Sequence, residues 1–214
     1  MSDQQAVDYK TEQEHFWAGH FGDEYTERNH PQEGQLLTSK TAVFTRIARA
    51  AGCRWSTILE LGANRGLNLH ALRRILPEAQ LSAVEINPTA VSYLREVTQD
   101  VHIGSILEFV PQKQYELVFT MGVLIHIHPQ SLPQVYEKLA HSSANFVCVC
   151  EYYNPSPVEV TYRGHSGKLF KRDFAGEFMA QFPEFHLVDY GFVYHKDPVF
   201  PLDDFTWFLM QRQP

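Results

Sequence analysis

Five short apolar segments alternate with helical segments between residues 57 and 151, and this alternation limits the fold more than any other feature. The apolar segments, each a predicted strand, are 57–61, 81–86, 101–104, 116–121 and 145–151. The predicted helices between them are 67–76, 88–97 and 129–141. Strands that are apolar along their whole length are typical of a parallel sheet covered by helices on both faces. We therefore predict an α/β fold built on an open parallel sheet.

The pattern changes after residue 151. A predicted helix over 171–181 is followed by two longer apolar segments, 185–194 and 204–211. The nine residues between these segments are too few for a helical crossover, so the two should pair as antiparallel strands. The sequence thus predicts a mostly parallel seven-stranded sheet that ends in a C-terminal antiparallel hairpin.

Composition and charge exclude several classes of partner. The formal net charge of −7 disfavours binding of a polyanion such as nucleic acid. No run of 18 apolar residues occurs, and the N-terminus lacks an apolar stretch of signal-peptide type. The three cysteines, Cys53, Cys148 and Cys150, include no Cys-x-x-Cys pair, which indicates reduced thiols and no metal site. We expect a cytoplasmic monomer or homodimer with no membrane or nucleic-acid partner, and buried thiols at Cys148 and Cys150.

A glycine-rich turn follows the first predicted strand, and an acidic residue ends the second. The turn contains Gly62, Asn64 and Gly66, and Glu85 lies 19 residues beyond Gly66. In open parallel sheets, ligands bind at the carboxyl ends of the strands, where the strand order reverses. An acidic side chain at this distance can accept hydrogen bonds from two ribose hydroxyls. The arrangement predicts a nucleoside-containing cofactor.

The glycine spacing separates two cofactor classes. A dinucleotide site requires glycine at positions 62, 64 and 67, and only Gly62 meets this requirement. The S-adenosylmethionine pattern requires an acidic residue at 60 and glycines at 62, 64 and 66, and three of these four positions match. Asn64 is the departure, and asparagine is the non-glycine residue best suited to positive φ. We therefore predict S-adenosylmethionine as the cofactor and S-adenosylhomocysteine as its product.

Several other residues are predicted to contact this cofactor. Glu60 suits its ammonium group, and Ser105 or the Ile106 backbone amide suits the adenine edge, although an ordinary loop explains these two equally well. Trp17, Phe21 and Tyr25, with Arg28 and Asn29, are predicted to form a lid, because aromatic rings attract a sulfonium cation. The remaining predicted contacts are Ala63, Ile86, Asn87, Gly104, Met121 and Gly122.

The residues support a division of one predicted domain, 1–214, into three parts. Residues 1–30 form the lid segment, 31–151 the cofactor-binding core, and 152–214 a substrate loop, a helix and the hairpin.

Longer motifs resemble those of the pseudaminic acid biosynthesis-associated methylase family. The matching segments are 16–25 (FWAGHFGDEY), 151–157 (EYYNPSP), 162–165 (YRGH), 169–177 (LFKRDFAGE) and 203–208 (DDFTWF). This resemblance spans nearly the whole chain. It implies a Rossmann-like class I methyltransferase and a gene context of nonulosonic sugar synthesis in bacteria, without fixing the substrate.

Methyl transfer to a hydroxyl requires a nearby base, and two residues are candidates. His126 follows the fourth predicted strand and titrates near neutral pH, although a core histidine is the simpler interpretation. Glu151 ends the fifth predicted strand and could be a base, a substrate anchor or a solvated strand end.

The segment after Glu151 is predicted to bind the substrate. Tyr152, Tyr153 and Asn154 are placed to form a pocket wall. Positive charge concentrates in the following loop, at Arg163, His165, Lys168, Lys171 and Arg172. An anionic substrate group explains this charge, since arginine binds carboxylate and phosphate in a forked geometry. A solvated basic loop is the alternative, and it is favoured for Lys168 and Lys171.

The sequence therefore predicts methyl transfer to an oxygen or nitrogen of a small, anionic molecule. An NAD-linked oxidoreductase and a non-catalytic binding protein with the same fold remain as alternatives.

Overall fold

A computed structural model describes residues 9–28 and 33–213, apart from the Glu33 side chain. The predicted lid residues 1–8, Asn29 and His30 lie outside the described part. The helices are α1 (Glu12–Ala18), α2 (His20–Arg28), α3 (Glu33–Ala51), α4 (Leu67–Ile75), α5 (Pro88–Leu94), α6 (Leu132–Ser142) and α7 (Phe174–Gln181). The strands are β1 (Thr57–Leu61), β2 (Gln80–Glu85), β3 (Asp100–Ile103), β4 (Tyr115–Met121), β5 (Ser143–Glu151), β6 (Val158–Glu159), β7 (Phe170–Lys171), β8 (Phe185–Val193) and β9 (Phe205–Arg212).

Seven strands form one sheet in the order β3-β2-β1-β4-β5-β9-β8. The first five strands are parallel, and β9 pairs antiparallel with both β5 and β8. The predicted sheet and its C-terminal hairpin are therefore confirmed. The strand order reverses between β1 and β4, so a crevice opens at the carboxyl ends of these two strands.

Helices cover both faces of the sheet, as the apolar strands predicted. On one face, Phe44 and Ile47 of α3 pack in a core that includes Trp207 of β9. On the other face, Leu139 of α6 and Phe178 of α7 pack in a second core. Cys148 and Cys150 are buried in the first core, with their sulfur atoms 3.6 Å apart, which confirms the prediction for these thiols.

Helices α6 and α7 begin three residues later than predicted, because a turn or a short strand precedes each of them. A 3-10 turn occupies Pro129–Ser131, so α6 begins at Leu132 and not at residue 129. Helix α7 begins at Phe174, because Asp173 caps it and the short strand β7 pairs with β6. The pairing of β6 with β7 was not predicted, because two-residue strands leave no periodic signal.

The N-terminal aromatic residues lie on two short helices that meet at Gly19. Thr11 caps α1 through a hydrogen-bonded capping box with Glu14. Within residues 9–28 and 33–213, no helix has the length and apolar character needed to cross a bilayer.

Candidate active site

The turn after β1 adopts the positive φ angles that its glycines and Asn64 predicted. Gly62, Asn64 and Gly66 have φ angles of 78°, 46° and 77°. Asn64 is thus one of two non-glycine residues with positive φ in the described part of the chain, which confirms its suitability for this position. A Cβ atom on Gly62 would lie 2.7 Å from a methyl carbon of Val123, so only glycine lets this turn approach the turn after β4.

Glu85 at the end of β2 contacts the glycine-rich turn directly. Its carboxylate accepts the backbone N–H of Asn64 over 2.6 Å and that of Asn87 over 2.8 Å. Burial raises the pKa of Glu85, and backbone hydrogen bonds from Asn87, Asn64 and Ile86 oppose this rise. A carboxylate with unused lone pairs is thereby held beside the turn.

Glu85 and the turn border a cavity at the carboxyl ends of β1, β2 and β4, which we call the inner cavity. Its walls include most of the residues predicted to hold the cofactor. These are Trp17, Tyr25, Gly62, Asn64, Glu85, Ile86, Ser105, Ile106, Met121 and Gly122. His126, the predicted base, also lines it.

A larger and more polar opening, which we call the outer cleft, lies next to the inner cavity. The predicted residues in its lining are Tyr25, Arg28, Gly62, Ala63, Asn64, Met121, Gly122, His126, Tyr152 and Arg163. Tyr25, Met121 and His126 line both spaces, together with the two turns. These shared residues mark where a group in one space can meet a group in the other.

Glu60 lies behind the turn and lines neither space. Its Oε1 accepts the Asn68 side-chain amide over 2.5 Å, while its buried Oε2 has no hydrogen-bond partner among the described residues. Burial raises the pKa of Glu60 to about 8. Lys40 of α3 donates to the Asn68 side-chain oxygen over 2.7 Å, and both residues line the outer cleft. Glu60 therefore reaches neither space itself, and Asn68 lies between Glu60 and the outer cleft.

Three other predicted cofactor residues support the walls without lining either space. Gly66 caps α4 in a left-handed conformation and packs closely against Leu94. Asn87 caps α5, and Gly104 follows β3 with a φ of 151°. Helix capping and positive φ angles explain why these three residue types occur at these positions. The same three residues shape the turns that surround the cavity.

Helices α1 and α2 lie over the inner cavity, as the lid prediction requires. The Asn87 side-chain amide donates to Asp23 over 2.9 Å and to the Trp17 carbonyl over 3.2 Å. The Asn64 amide donates to the Thr26 hydroxyl over 3.1 Å. Asn64 and Asn87, whose backbone N–H groups donate to Glu85, therefore also hydrogen-bond to helices α1 and α2 through their side chains.

His126 lies between the rings of Trp17 and Tyr162, with ring centroids 4.6 and 5.0 Å away. Its Nδ1 lies 2.6 Å from the Lys168 carbonyl oxygen, so Nδ1 carries the proton and Nε2 holds the lone pair. Burial lowers the pKa of His126 to about 4, and the hydrogen bond only partly offsets this effect. The side chain is neutral at pH 7 and a weak base.

Glu151 is buried and accepts three backbone N–H groups. The donors are Val123 and Leu124, both at 3.1 Å, and Ile125 at 3.4 Å. Burial raises the pKa of Glu151 to about 7. The carboxylate lines neither the inner cavity nor the outer cleft, so its contacts favour a structural role over the predicted role of base or substrate anchor.

The residues predicted to bind substrate separate into two groups. Tyr152 and Arg163 line the outer cleft. Tyr153 is exposed beside Phe208, the Asn154 amide donates to the Ser156 carbonyl, and His165 packs against Phe16 and Phe21 of the lid. The second group therefore has local partners and does not contact the cleft.

The basic loop is largely paired. Lys168 lies 3.2 Å from Glu12 of α1, and Arg172 lies 2.6 Å from Glu177 of α7. Arg163 has a φ of 48° at the tip of a tight hairpin and stacks over Tyr162. Lys168 and Arg172 therefore have acidic partners within the chain, whereas Arg163 lines the outer cleft.

Several lining residues were not predicted from the sequence, and some of them lie on elements far from the glycine-rich turn. Thr11, Gln13, Glu14 and Leu107 line the inner cavity. Lys40, Asn68, Tyr162, His195 and Asp203 line the outer cleft. The adjacency of helix α3 and the β8–β9 turn to this edge depends on the three-dimensional strand order.

No protein-family model and no curated protein sequence matches this chain. Solved structures match it in fold. A Burkholderia thailandensis 1,6-didemethyltoxoflavin-N1-methyltransferase with bound S-adenosylhomocysteine is 12% identical, with a TM-score of 0.66 over 97% of this chain and 94% of that one. A magnesium protoporphyrin IX methyltransferase from Synechocystis with bound S-adenosylhomocysteine is 10% identical, with a TM-score of 0.69 over 94% and 98%. DesVI of Streptomyces venezuelae is 12% identical, with a TM-score of 0.62 over 91% and 99%.

The chain has the class I methyltransferase fold. The matches cover nearly all of this chain and of the solved structures, so the predicted fold class is confirmed. Both the inner cavity and the outer cleft lie at the point where the strand order of the methyltransferase fold reverses.

Proposed function

We propose that this protein is a methyltransferase that uses S-adenosylmethionine and modifies a small, anionic molecule. The observation that carries the proposal is the contact between Glu85 and Asn64, since it holds a carboxylate that suits ribose hydroxyls beside a glycine-rich turn at one cavity. When bound, S-adenosylmethionine supplies a methyl group on a positively charged sulfur.

The inner cavity fits the adenosine part of this cofactor. The Glu85 carboxylate can accept hydrogen bonds from both ribose hydroxyls. Apolar side chains of Ile86, Ile106 and Leu107 provide a slot for a flat ring, and the Ser105 hydroxyl borders the same space. The chemistry of the lining therefore suits a nucleoside without phosphates.

The methionine part of the cofactor fits the polar side of the glycine-rich turn. Asn68 and Lys40 line the outer cleft there, and the buried Glu60 lies directly behind Asn68. An incoming ammonium group favours ionisation of Glu60, whose own hydrogen bonds leave Oε2 unpaired among the described residues. Lys40 suits the carboxylate of the same amino acid.

The methyl group would face Tyr25, Met121 and His126, which border both the cavity and the cleft. The aromatic faces of Trp17 and Tyr25, whose ring centroids are 5.3 Å apart, suit a sulfonium cation. The acceptor would then lie in the outer cleft.

The charge of the outer cleft supports an anionic acceptor. Arg28, Arg65 and Arg163 line it together with Lys40, and Asp203 is the single acidic side chain in its described lining. This local excess of positive charge contrasts with the net charge of −7 of the whole chain. A carboxylate or phosphate on the acceptor would offset it.

A sugar-related acceptor is a narrower proposal. It rests on the resemblance to pseudaminic acid biosynthesis-associated methylases, whose matching segments include 151–157 and 162–165. Tyr152 and Arg163 of these segments line the outer cleft, which is where an acceptor would bind.

The test is transfer of an isotopically labelled methyl group from S-adenosylmethionine into a bacterial extract of small metabolites. We expect label in a compound retained by an anion exchanger, and none when Glu85 is replaced by alanine. The matched control is Glu96→Ala, which alters an exposed acid that follows helix α5 and lines neither the inner cavity nor the outer cleft. Tight cofactor binding without transfer to any compound would favour the non-catalytic alternative.

A further inference from the structure

The β8–β9 turn brings a histidine and one acidic residue to the outer cleft. Strand β9 runs antiparallel to β5 and β8, so the end of β8 and the start of β9 lie at the same edge as the end of β5. His195 and Asp203 of this turn line the cleft, and Asp203 accepts the Tyr152 hydroxyl over 3.1 Å. The turn is therefore part of the acceptor side of the site.

His195 forms a tightly held pair with Asp204. Its Nδ1 lies 2.8 and 2.9 Å from the two Asp204 carboxylate oxygens, and its backbone N–H donates to the same carboxylate over 2.9 Å. These hydrogen bonds lower the pKa of Asp204, so the carboxylate is ionised and accepts at neutral pH. Nδ1 of the neutral imidazole consequently carries the proton, and Nε2 holds the lone pair.

The two histidines of the cleft, His126 and His195, differ in their burial and in whether a carboxylate lies beside them. His126 is buried and faces no carboxylate, which lowers its pKa to about 4. The side chain of His195 is half exposed, at 50%. A proton taken up by His195 is stabilised by Asp204 and can pass to solvent, whereas a proton on His126 would remain buried without a charged partner.

Other charged and titratable groups surround the pair from three elements. The neighbours on the turn are Asp203, Lys196 and Asp197, and Tyr152 lies at the end of β5. Lys171 of β7 lies 5.1 Å from the Tyr152 ring and is close enough to act on Asp204 electrostatically.

We propose that His195, oriented by Asp204, is the general base that removes the proton of an acceptor hydroxyl. The proposal rests on the proposed methyltransferase function. The acceptor oxygen forms a bond to the methyl carbon while the methyl–sulfur bond breaks and leaves its electron pair on sulfur. Nε2 of His195 takes the hydroxyl proton and releases it to solvent after the product leaves.

The first test measures methyl transfer in the metabolite extract by three variants. His195→Gln should lower the rate at least about 100-fold, as expected for loss of a general base, with an unchanged affinity for S-adenosylhomocysteine. Asp204→Asn should act similarly, because an amide that donates to Nδ1 places the proton on Nε2. His186→Gln, at the opposite end of β8, should retain the wild-type rate. A His195→Gln rate within threefold of wild type would overturn the proposal.

A second test requires neither acceptor nor cofactor. Nitrogen NMR of the labelled, ligand-free protein at pH 8 should show His195 with its proton on Nδ1, and Asp204→Asn should move that proton to Nε2. A wild-type proton on Nε2 would overturn the proposal. Failure of S-adenosylhomocysteine to bind would instead contradict the methyltransferase function, so the two failures are distinct.

Free imidazole separates a chemical role from a structural one. Added imidazole should restore part of the activity lost in His195→Ala, since a small base can occupy the vacated space. A merely structural histidine would show the same loss of activity without rescue, and that result would also count against the proposal.

Discussion

The Glu151 carboxylate holds the 3-10 turn that carries His126. It accepts the backbone N–H groups of Val123, Leu124 and Ile125, which begin that turn (Leu124–His126). The two residues predicted as alternative bases are thus mechanically linked, because one positions the backbone of the other.

Replacing Glu151 should therefore lower the free energy of unfolding, and any loss of activity should follow from that loss of stability. Glu151→Ala leaves buried N–H groups without acceptors, and we expect a loss of about 3 kcal/mol in the free energy of unfolding. Glu151→Gln keeps one accepting oxygen and should lose less than half as much. Denaturant unfolding measures both, with exposed Glu78→Ala as the control. An inactive but fully stable Glu151→Gln would support the role of base instead.

His126 should make stability depend on pH. Its pKa is about 4 in the folded protein and 6.5 when unfolded, so the unfolded chain binds more protons between these values. Stability contributed by His126 is complete above pH 6.5 and falls as the pH decreases toward 4. At pH 5 the loss is about 2 kcal/mol.

Unfolding at pH 5 and pH 7.5 measures this effect as a difference between wild type and His126→Gln. The variant should lose less stability on acidification by about the same 2 kcal/mol. The comparison is needed because Glu151 and Glu60, with raised pKa values, contribute slopes of the opposite sign. Equal acid sensitivity of the two proteins would show that His126 is not buried in its neutral form.

Arg163 offers a test of the anionic acceptor that does not disturb the hairpin. Asparagine and glycine tolerate its φ of 48°, so Arg163→Asn removes the charge and retains the turn. We expect KM for the acceptor to rise about 10-fold or more, with thermal stability unchanged. Arg95→Gln, an exposed arginine of the α5 C-terminus, should have no effect. An unchanged KM in Arg163→Asn would exclude Arg163 as the anion's partner.

The backbone of Asn64 can be tested separately from its side chain. Asn64→Gly preserves the positive φ and should keep cofactor affinity within about threefold. Asn64→Val forces a β-branched residue into a left-handed conformation, which is a rare and strained arrangement. We expect this variant to lose binding and about 2 kcal/mol of stability. Calorimetry measures the cofactor affinity of both variants, and denaturant unfolding measures their stability. Asn64→Gly loses only the hydrogen bond to Thr26, whereas Asn64→Val also loses the turn geometry.

The fold was predictable because its information is local. The apolar strands β1, β2, β4 and β5 and the helices between them leave a strong periodic signal, and the pairing of β8 with β9 follows from the short connection. The contact between Glu85 and Asn64 was also predictable. Glu85 ends β2 and Asn64 lies in the turn after β1, and these two parallel strands are neighbours in the sheet.

The acceptor side was less predictable because its residues come from distant elements. Tyr153 and Asn154 follow β5 as closely as Tyr152 does, yet only Tyr152 lines the cleft. His195 and Asp203 lie on a turn whose approach to the cleft depends on strand order. Asp203 begins the motif 203–208, but no motif marks His195. The burial of Glu151 could not be judged either, because it depends on the turn after the neighbouring strand β4.

The most direct measurement is a calorimetric titration of the folded protein with S-adenosylhomocysteine and, separately, with NAD. We predict one S-adenosylhomocysteine site per chain, no heat with NAD, and at least about a 10-fold weaker affinity in Glu85→Ala, because hydrogen bonds to a charged group are lost. Glu96→Ala should bind like wild type. Absence of S-adenosylhomocysteine binding by folded wild-type protein would contradict the central claim that Glu85 and the Asn64 turn form a nucleoside site.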